Sequence, residues 1–95
     1  MLYTFRYSPF SHDIQALLRY MKAGDCLLLI EDGVLAGLTE SAPLKALLAS
    51  SLSVCALQDD IEARGLVAHF SSEIPCVSYR EFVKLTIEHQ PQVAW

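Results

Sequence analysis

Two kinds of apolar run take turns along this chain, short continuous ones and longer ones whose apolar positions recur at helical spacing. The opening residues Met1-Leu2-Tyr3-Thr4-Phe5 predict a strand from their aromatic and β-branched content, and Ser8-Pro9 breaks it. Ser11 is then placed to cap a helix in which Ile14, Leu17, Leu18 and Met21 share one face, with Asp13 at its positive end and Gly24 at its exit. Cys26 to Ile30 is apolar without alternation, the pattern of a strand covered on both faces and therefore central in a parallel sheet. Glu31-Asp32-Gly33 ends that strand, and Val34 to Leu38 reads equally as a short helix or a loop.

The second half repeats the alternation. Ser41 caps a helix from Ala42 to Ala49, Pro43 is tolerated in its first turn, and Leu44, Leu47 and Leu48 share a face. Leu52 to Leu57 predicts a strand, after which Asp59 and Glu62 have the spacing of a capping box on a short helix closed by Gly65. Leu66 to Phe70 fits neither pattern. Ile74 to Val77 predicts a short strand that Pro75 confines to a bend or a sheet edge. Ser78 and Glu81 form the clearest capping box, opening a helix whose predicted inner face is Tyr79, Phe82, Val83 and Thr86 or Ile87, ending near His89. Pro91 stops it, leaving Gln92 to Trp95 as an expected tail. Strand and helix in alternation predict an α/β three-layer sandwich: a single domain over residues 1–95 with a small, mostly parallel, four-stranded sheet and helices on both faces.

Composition adds a partner. The chain is 53% hydrophobic and 19% charged, more apolar and less charged than the usual ~45–50% and ~25% of soluble proteins. In 95 residues the excess has little interior to fill, so a face buried against another subunit is expected. A net charge of -4, without any cluster of Lys and Arg, disfavours a nucleic-acid clamp. No apolar run reaches the ~18 residues of a membrane span, and the first residues lack the basic-then-apolar order of a secretory signal, so the expected location is cytoplasmic, away from membranes.

Candidate chemistry is sparse. Cys26, Cys55 and Cys76 have no metal-ligand spacing and lie on or beside predicted strands, where a buried structural thiol is the simpler reading. Cys76, close to the carboxyl end of its strand and just before the Ser78 helix start, is the strongest candidate nucleophile of the three. His12, His69 and His89 form no ligand pair, and neither dinucleotide nor phosphate-loop glycine motifs occur. Asp32-Gly33 stands where open parallel sheets bind ligands, but is read as a turn in which Asp32 bonds nearby backbone and Gly33 takes an unusual dihedral angle. Asp59, Asp60 and Arg64 are read as capping and solvated charge. No catalytic, cofactor-binding or metal residue is assigned. The candidate interface residues are Phe70, Tyr79, Phe82 and Trp95, with Trp95 expected to dock on this domain or on another subunit.

The whole chain also resembles a known family. The initial Met1-Leu2, Arg6-Tyr7-Ser8-Pro9, Asp32-Gly33-Val34, Ala56-Leu57-Gln58-Asp59-Asp60-Ile61, Ala63-Arg64-Gly65-Leu66, Tyr79-Arg80-Glu81-Phe82-Val83-Lys84-Leu85-Thr86 and Val93-Ala94-Trp95 together are similar to the DsrH-like subunits of TusBCD sulfur-relay complexes, in the DsrE/DsrF/DsrH-like superfamily. The resemblance implies a non-catalytic, structural part in 2-thiouridine synthesis at the wobble position of transfer RNA. It also implies a heterohexamer with TusC-like and TusD-like subunits, a TusE-like sulfur acceptor reached through the complex, and no direct contact with nucleic acid. Some relatives use a cysteine in an early loop, but here that stretch is Tyr20-Met21-Lys22-Ala23, so no catalytic residue is carried over. The alternative is a small cysteine-dependent sulfurtransferase using Cys76. A nucleotide-binding module rests on the sheet-and-helix layout alone.

Overall fold

The structure, a computed structural model, describes residues 1–89 and 92–95. Five parallel strands form one sheet in the order β4-β3-β2-β1-β5. They are β1 (Leu2–Phe5), β2 (Cys26–Leu29), β3 (Ser53–Leu57), β4 (Cys76–Val77) and β5 (Gln92–Ala94), and the helices are α1 (Ile14–Tyr20), α2 (Ala42–Ala49), α3 (Gln58–Ala63) and α4 (Tyr79–Glu88). The continuously apolar β2 is the central strand and is buried along its length, as its composition predicts. Pro75 precedes β4, which is the edge strand it was expected to allow.

Side chains alternate between the two faces of the sheet and build two cores. On one face Tyr3, Phe5, Leu27, Leu29 and Ala56 pack with Ile14 and Leu17 of α1, Leu44 and Leu47 of α2 and Ile61 of α3. On the other, Leu2, Cys26, Leu28, Ile30, Cys55 and Leu57 lie beneath Phe82 and Leu85 of α4. Helices thus cover both faces, three on one side and α4 on the other. The strand order accounts for this division: β1 to β4 step across the sheet in one direction, whereas α4 must carry the chain back past them all to place β5 beside β1.

Four sequence expectations need correction. The sheet has five strands rather than four, because Gln92–Ala94 is a strand and not a tail: Tyr3 pairs with Val93, and the Trp95 N–H donates to the Thr4 carbonyl at 2.9 Å. A three-residue strand has little local signature, and this one forms because the outer edge of β1 offers unpaired backbone groups. The cap of α1 is Asp13, whose carboxylate accepts from Ala16 N–H, rather than Ser11. The first turn of α3 is not closed by Asp59: Leu57 stands at its N-cap without a side-chain bond. Finally, Gly33 has no left-handed backbone. Its role is steric, since a Cβ there would overlap the Phe5 carbonyl, and the left-handed residue of this turn is Glu31, at φ 50°. Pro91, the expected helix stop, lies outside the described residues, while α4 ends at Glu88 with His89 as its cap.

Candidate interaction surface

The outer surface of α4 begins at a well-made helix start. Ser78 accepts from Glu81 N–H at 3.1 Å and Glu81 accepts from Ser78 N–H at 3.0 Å, completing the expected capping box. These bonds, and more weakly the Lys84 ammonium, hold the Glu81 carboxyl below its ordinary range. At the far end Gln92 Nε2 donates to the Thr86 carbonyl at 2.7 Å, joining the helix to β5. Between these anchors α4 turns Phe82 and Leu85 onto the sheet.

That orientation splits the face expected from periodicity. Phe82 is inward, together with Leu85, but Tyr79, Val83 and Ile87 point away and are 57%, 40% and 68% exposed. They fall at i, i+4 and i+8, so they line up along the outer surface. The rings of Tyr79 and Phe82 meet edge to face, 5.8 Å apart, linking the exposed stripe to the core. Arg80 and Lys84, one residue after Tyr79 and Val83, form no ion pair among the described residues.

The other candidate interface residues lie elsewhere. Trp95 is 37% exposed and packs its ring 5.6 Å from Tyr20, which in turn meets Tyr3 edge on. It docks on its own domain while keeping an accessible face. Phe70 is half-buried and packs on the larger core, its ring filling the space a Cβ at Gly37 would need. The structure therefore joins Tyr79 to Phe82 and keeps Trp95 and Phe70 apart from them. Val83 and Ile87 as outward residues, and Tyr20 as the partner of Trp95, were not singled out by the sequence; the helical spacing of 79, 83 and 87 was the available signal.

The titratable groups at the carboxyl ends of β2 and β3 are tied to one another. Asp32 accepts from Arg64 Nε at 3.0 Å and so bonds a distant side chain rather than nearby backbone, while Asp60 accepts from Glu31 N–H at 2.6 Å. Asp60 thus stabilises the left-handed Glu31 turn, with Arg64 bridging it to Asp32. Among the three cysteines, Cys26 and Cys55 are buried on the α4 face of neighbouring strands. Interaction with Cys26, reinforced by burial, pushes Cys55 well above the ordinary thiol range, so this thiol keeps its proton. Cys76 is exposed, its pKa is raised by partial desolvation, and its Sγ lies 3.8 Å from the Ile74 carbonyl as a weak donor. The raised Cys55 and Cys76 suit structural thiols more than activated thiolates, whereas hydrogen bonding to Cys55 and Ser53 lowers Cys26 to about 6 against its burial, in a side chain closed off from solvent. Among the described residues no group of three or more His, Cys, Asp and Glu side chains is arranged to hold a metal ion. No described helix is long and apolar enough to cross a membrane.

Comparison with known proteins places this architecture. The family profile described as DsrH like protein matches residues 7–92. Protein TusB of Serratia proteamaculans is 55% identical over 95 residues, covering 100% of both chains. Among solved structures, the solution structure of Tm0979 from Thermotoga maritima has a TM-score of 0.66 at 28% identity, over 96% of this chain and 97% of that one. The ychN protein of E. coli superposes with a TM-score of 0.74 over 99% of this chain and 97% of that one, and at 16% identity it speaks for the fold alone.

Proposed function

This chain belongs to the DsrH family, and from that premise we propose that it is a non-catalytic, TusB-like subunit of a cytoplasmic sulfur-relay complex serving 2-thiouridine synthesis at the transfer RNA wobble position. The observation that carries the reading is the end-to-end match to a TusB at 55% identity, without a gap in coverage of either chain. On this reading residues 1–95 act as one domain, and the partners are TusC-like and TusD-like subunits in a heterohexamer. A TusE-like acceptor takes sulfur from the assembly. The chain contributes surface rather than a sulfur-carrying thiol, through the candidate interface residues Tyr79, Phe82, Trp95 and Phe70. Its exposed apolar side chains support this, because a small domain gains by covering such residues with a partner.

One observation favours the alternative of a Cys76-dependent sulfurtransferase: Cys76 is the exposed cysteine of the three. The two readings separate in cells lacking the chromosomal copy. Loss of the subunit should remove wobble 2-thiouridine, measured by mass spectrometry of digested transfer RNA, and both the wild-type chain and Cys76→Ser should restore it. Restoration by the wild type but not by Cys76→Ser would establish the sulfurtransferase instead. Unchanged 2-thiouridine after deletion would remove both readings.

A further inference from the structure

Among the exposed apolar residues, Tyr79, Val83 and Ile87 differ from the rest in forming one continuous line on one rigid element. Phe10, Leu48 and Val67 are exposed on separate segments, and Tyr20 is partly occupied by Trp95. The α4 line is held at both ends, by the capping box and by the bond from Gln92, and its inner face is fixed by Phe82 and Leu85 in the smaller core. Among the described residues, nothing covers it. Immediately beside the line stand Arg80 and Lys84, an i, i+4 pair of cations without an ion pair among the described residues, in a chain whose net charge is -4.

We propose that the outer face of α4 is a docking surface for a different protein chain, one presenting an apolar strip bordered by aspartate or glutamate side chains. The apolar line supplies the area to be desolvated, and the two cations set the orientation by matching carboxylates at one border. The same charges argue against a second copy of this chain. Two α4 helices packed antiparallel about a two-fold axis would bring Arg80 and Lys84 of one copy near those of the other. Docking α4 instead on another acidic part of the same chain would be heterologous and would not close for an arbitrary geometry. Nucleic acid is the weaker occupant, since two cations on an otherwise acidic protein provide few phosphate contacts. This inference rests on the relay reading for the identity of the neighbouring chain and adds to it the surface used and the chemistry of the partner's matching face.

The test is co-purification of the full chain with the homologous relay subunits, followed by native mass spectrometry and measurement of binding kinetics. Val83→Ser/Ile87→Ser should weaken association by about tenfold or more. Arg80→Glu/Lys84→Glu should slow association, with added salt partly restoring the rate instead of lowering it as in the wild type. Val67→Ser, at an exposed position outside α4, should leave affinity unchanged and controls for general loss of surface hydrophobicity. Circular dichroism and thermal melting verify that each variant is folded, which the exposure of every substituted residue favours.

Wild-type association with both α4 variants binding as tightly would overturn the surface while leaving the relay reading intact. A wild-type chain that fails to join the relay subunits would remove that reading and this inference together. Self-association abolished by the α4 variants, without effect on the other subunits, would replace the partner by a second copy. RNA binding lost only in the charge variant, with subunit association unchanged, would replace it by nucleic acid. Either result overturns the proposal.

Discussion

Gly33 and Gly65 are favoured for different reasons, and substitution should distinguish them. At Gly33 a Cβ would occupy space held by the Phe5 carbonyl, in a strand fully buried between two layers of side chains. At Gly65 a Cβ meets nothing within 4 Å, but the backbone sits at φ +66°, where a side chain is disfavoured. Gly65→Ala should therefore cost about 1 kcal/mol, the conformational penalty alone. Gly33→Ala must displace backbone and should cost about 3 kcal/mol, with overpacking as its cause. Urea unfolding of both variants gives the comparison, and equal losses would mean that the Phe5 carbonyl yields easily. Arg64 shows the same dependence on context. Its bridges to Asp32, which is mostly exposed, and to Asp60, which is mostly covered, are solvent-accessible enough to contribute only modest energy as ion pairs, but they position the carboxylate that receives Glu31 N–H.

Helix α4 illustrates how one element serves two surfaces. Its inner side completes the smaller core, its outer side exposes Tyr79, Val83 and Ile87, and its capping box fixes the first turn for both. The Glu81 carboxyl is held below its ordinary value of 4.5 by the Ser78 bonds. A carboxyl with a lowered folded pKa stabilises the fold fully above its unfolded value and ceases to do so as pH falls through the folded one. The stability difference between wild type and Glu81→Gln should accordingly be largest near neutral pH and shrink below about pH 4.5. Thermal melts from pH 7 to pH 3 measure it, and a difference independent of pH would assign the role of Glu81 to helix propensity alone. Much of α4 was legible from spacing: Ser78 and Glu81 announced its start, and its end near His89 was correct. Which apolar residues face the sheet was not, because Tyr79, Phe82, Val83, Leu85 and Ile87 spread around more of the helix than one face accommodates. The angle at which the helix lies across the sheet chose Phe82 and Leu85.

For the molecule as a whole, the decisive contact joins the two ends of the chain. β5 covers the outer edge of β1, Val93 packs on the larger core, and Trp95 adds its ring to Tyr20. Removing residues 92–95 should uncover the β1 edge and lower unfolding free energy by about 2 kcal/mol, from loss of the Val93 and Trp95 contacts and the strand hydrogen bonds. Denaturant titration of the truncated chain checks this, and unaltered stability would mean that β5 adds nothing to the folded monomer. Local pattern by itself determined the four helices, four of the strands, the central place of β2, the caps of α2 and α4 and the family signature, since each depends on residues a few positions apart. Only the tertiary structure decided the fifth strand, the steric need for Gly33, the pairing of Asp60 with Glu31 and the outward line of Tyr79, Val83 and Ile87. Each of these depends on a surface or backbone group supplied by a distant part of the chain, and periodicity within a segment holds no record of what that segment will meet.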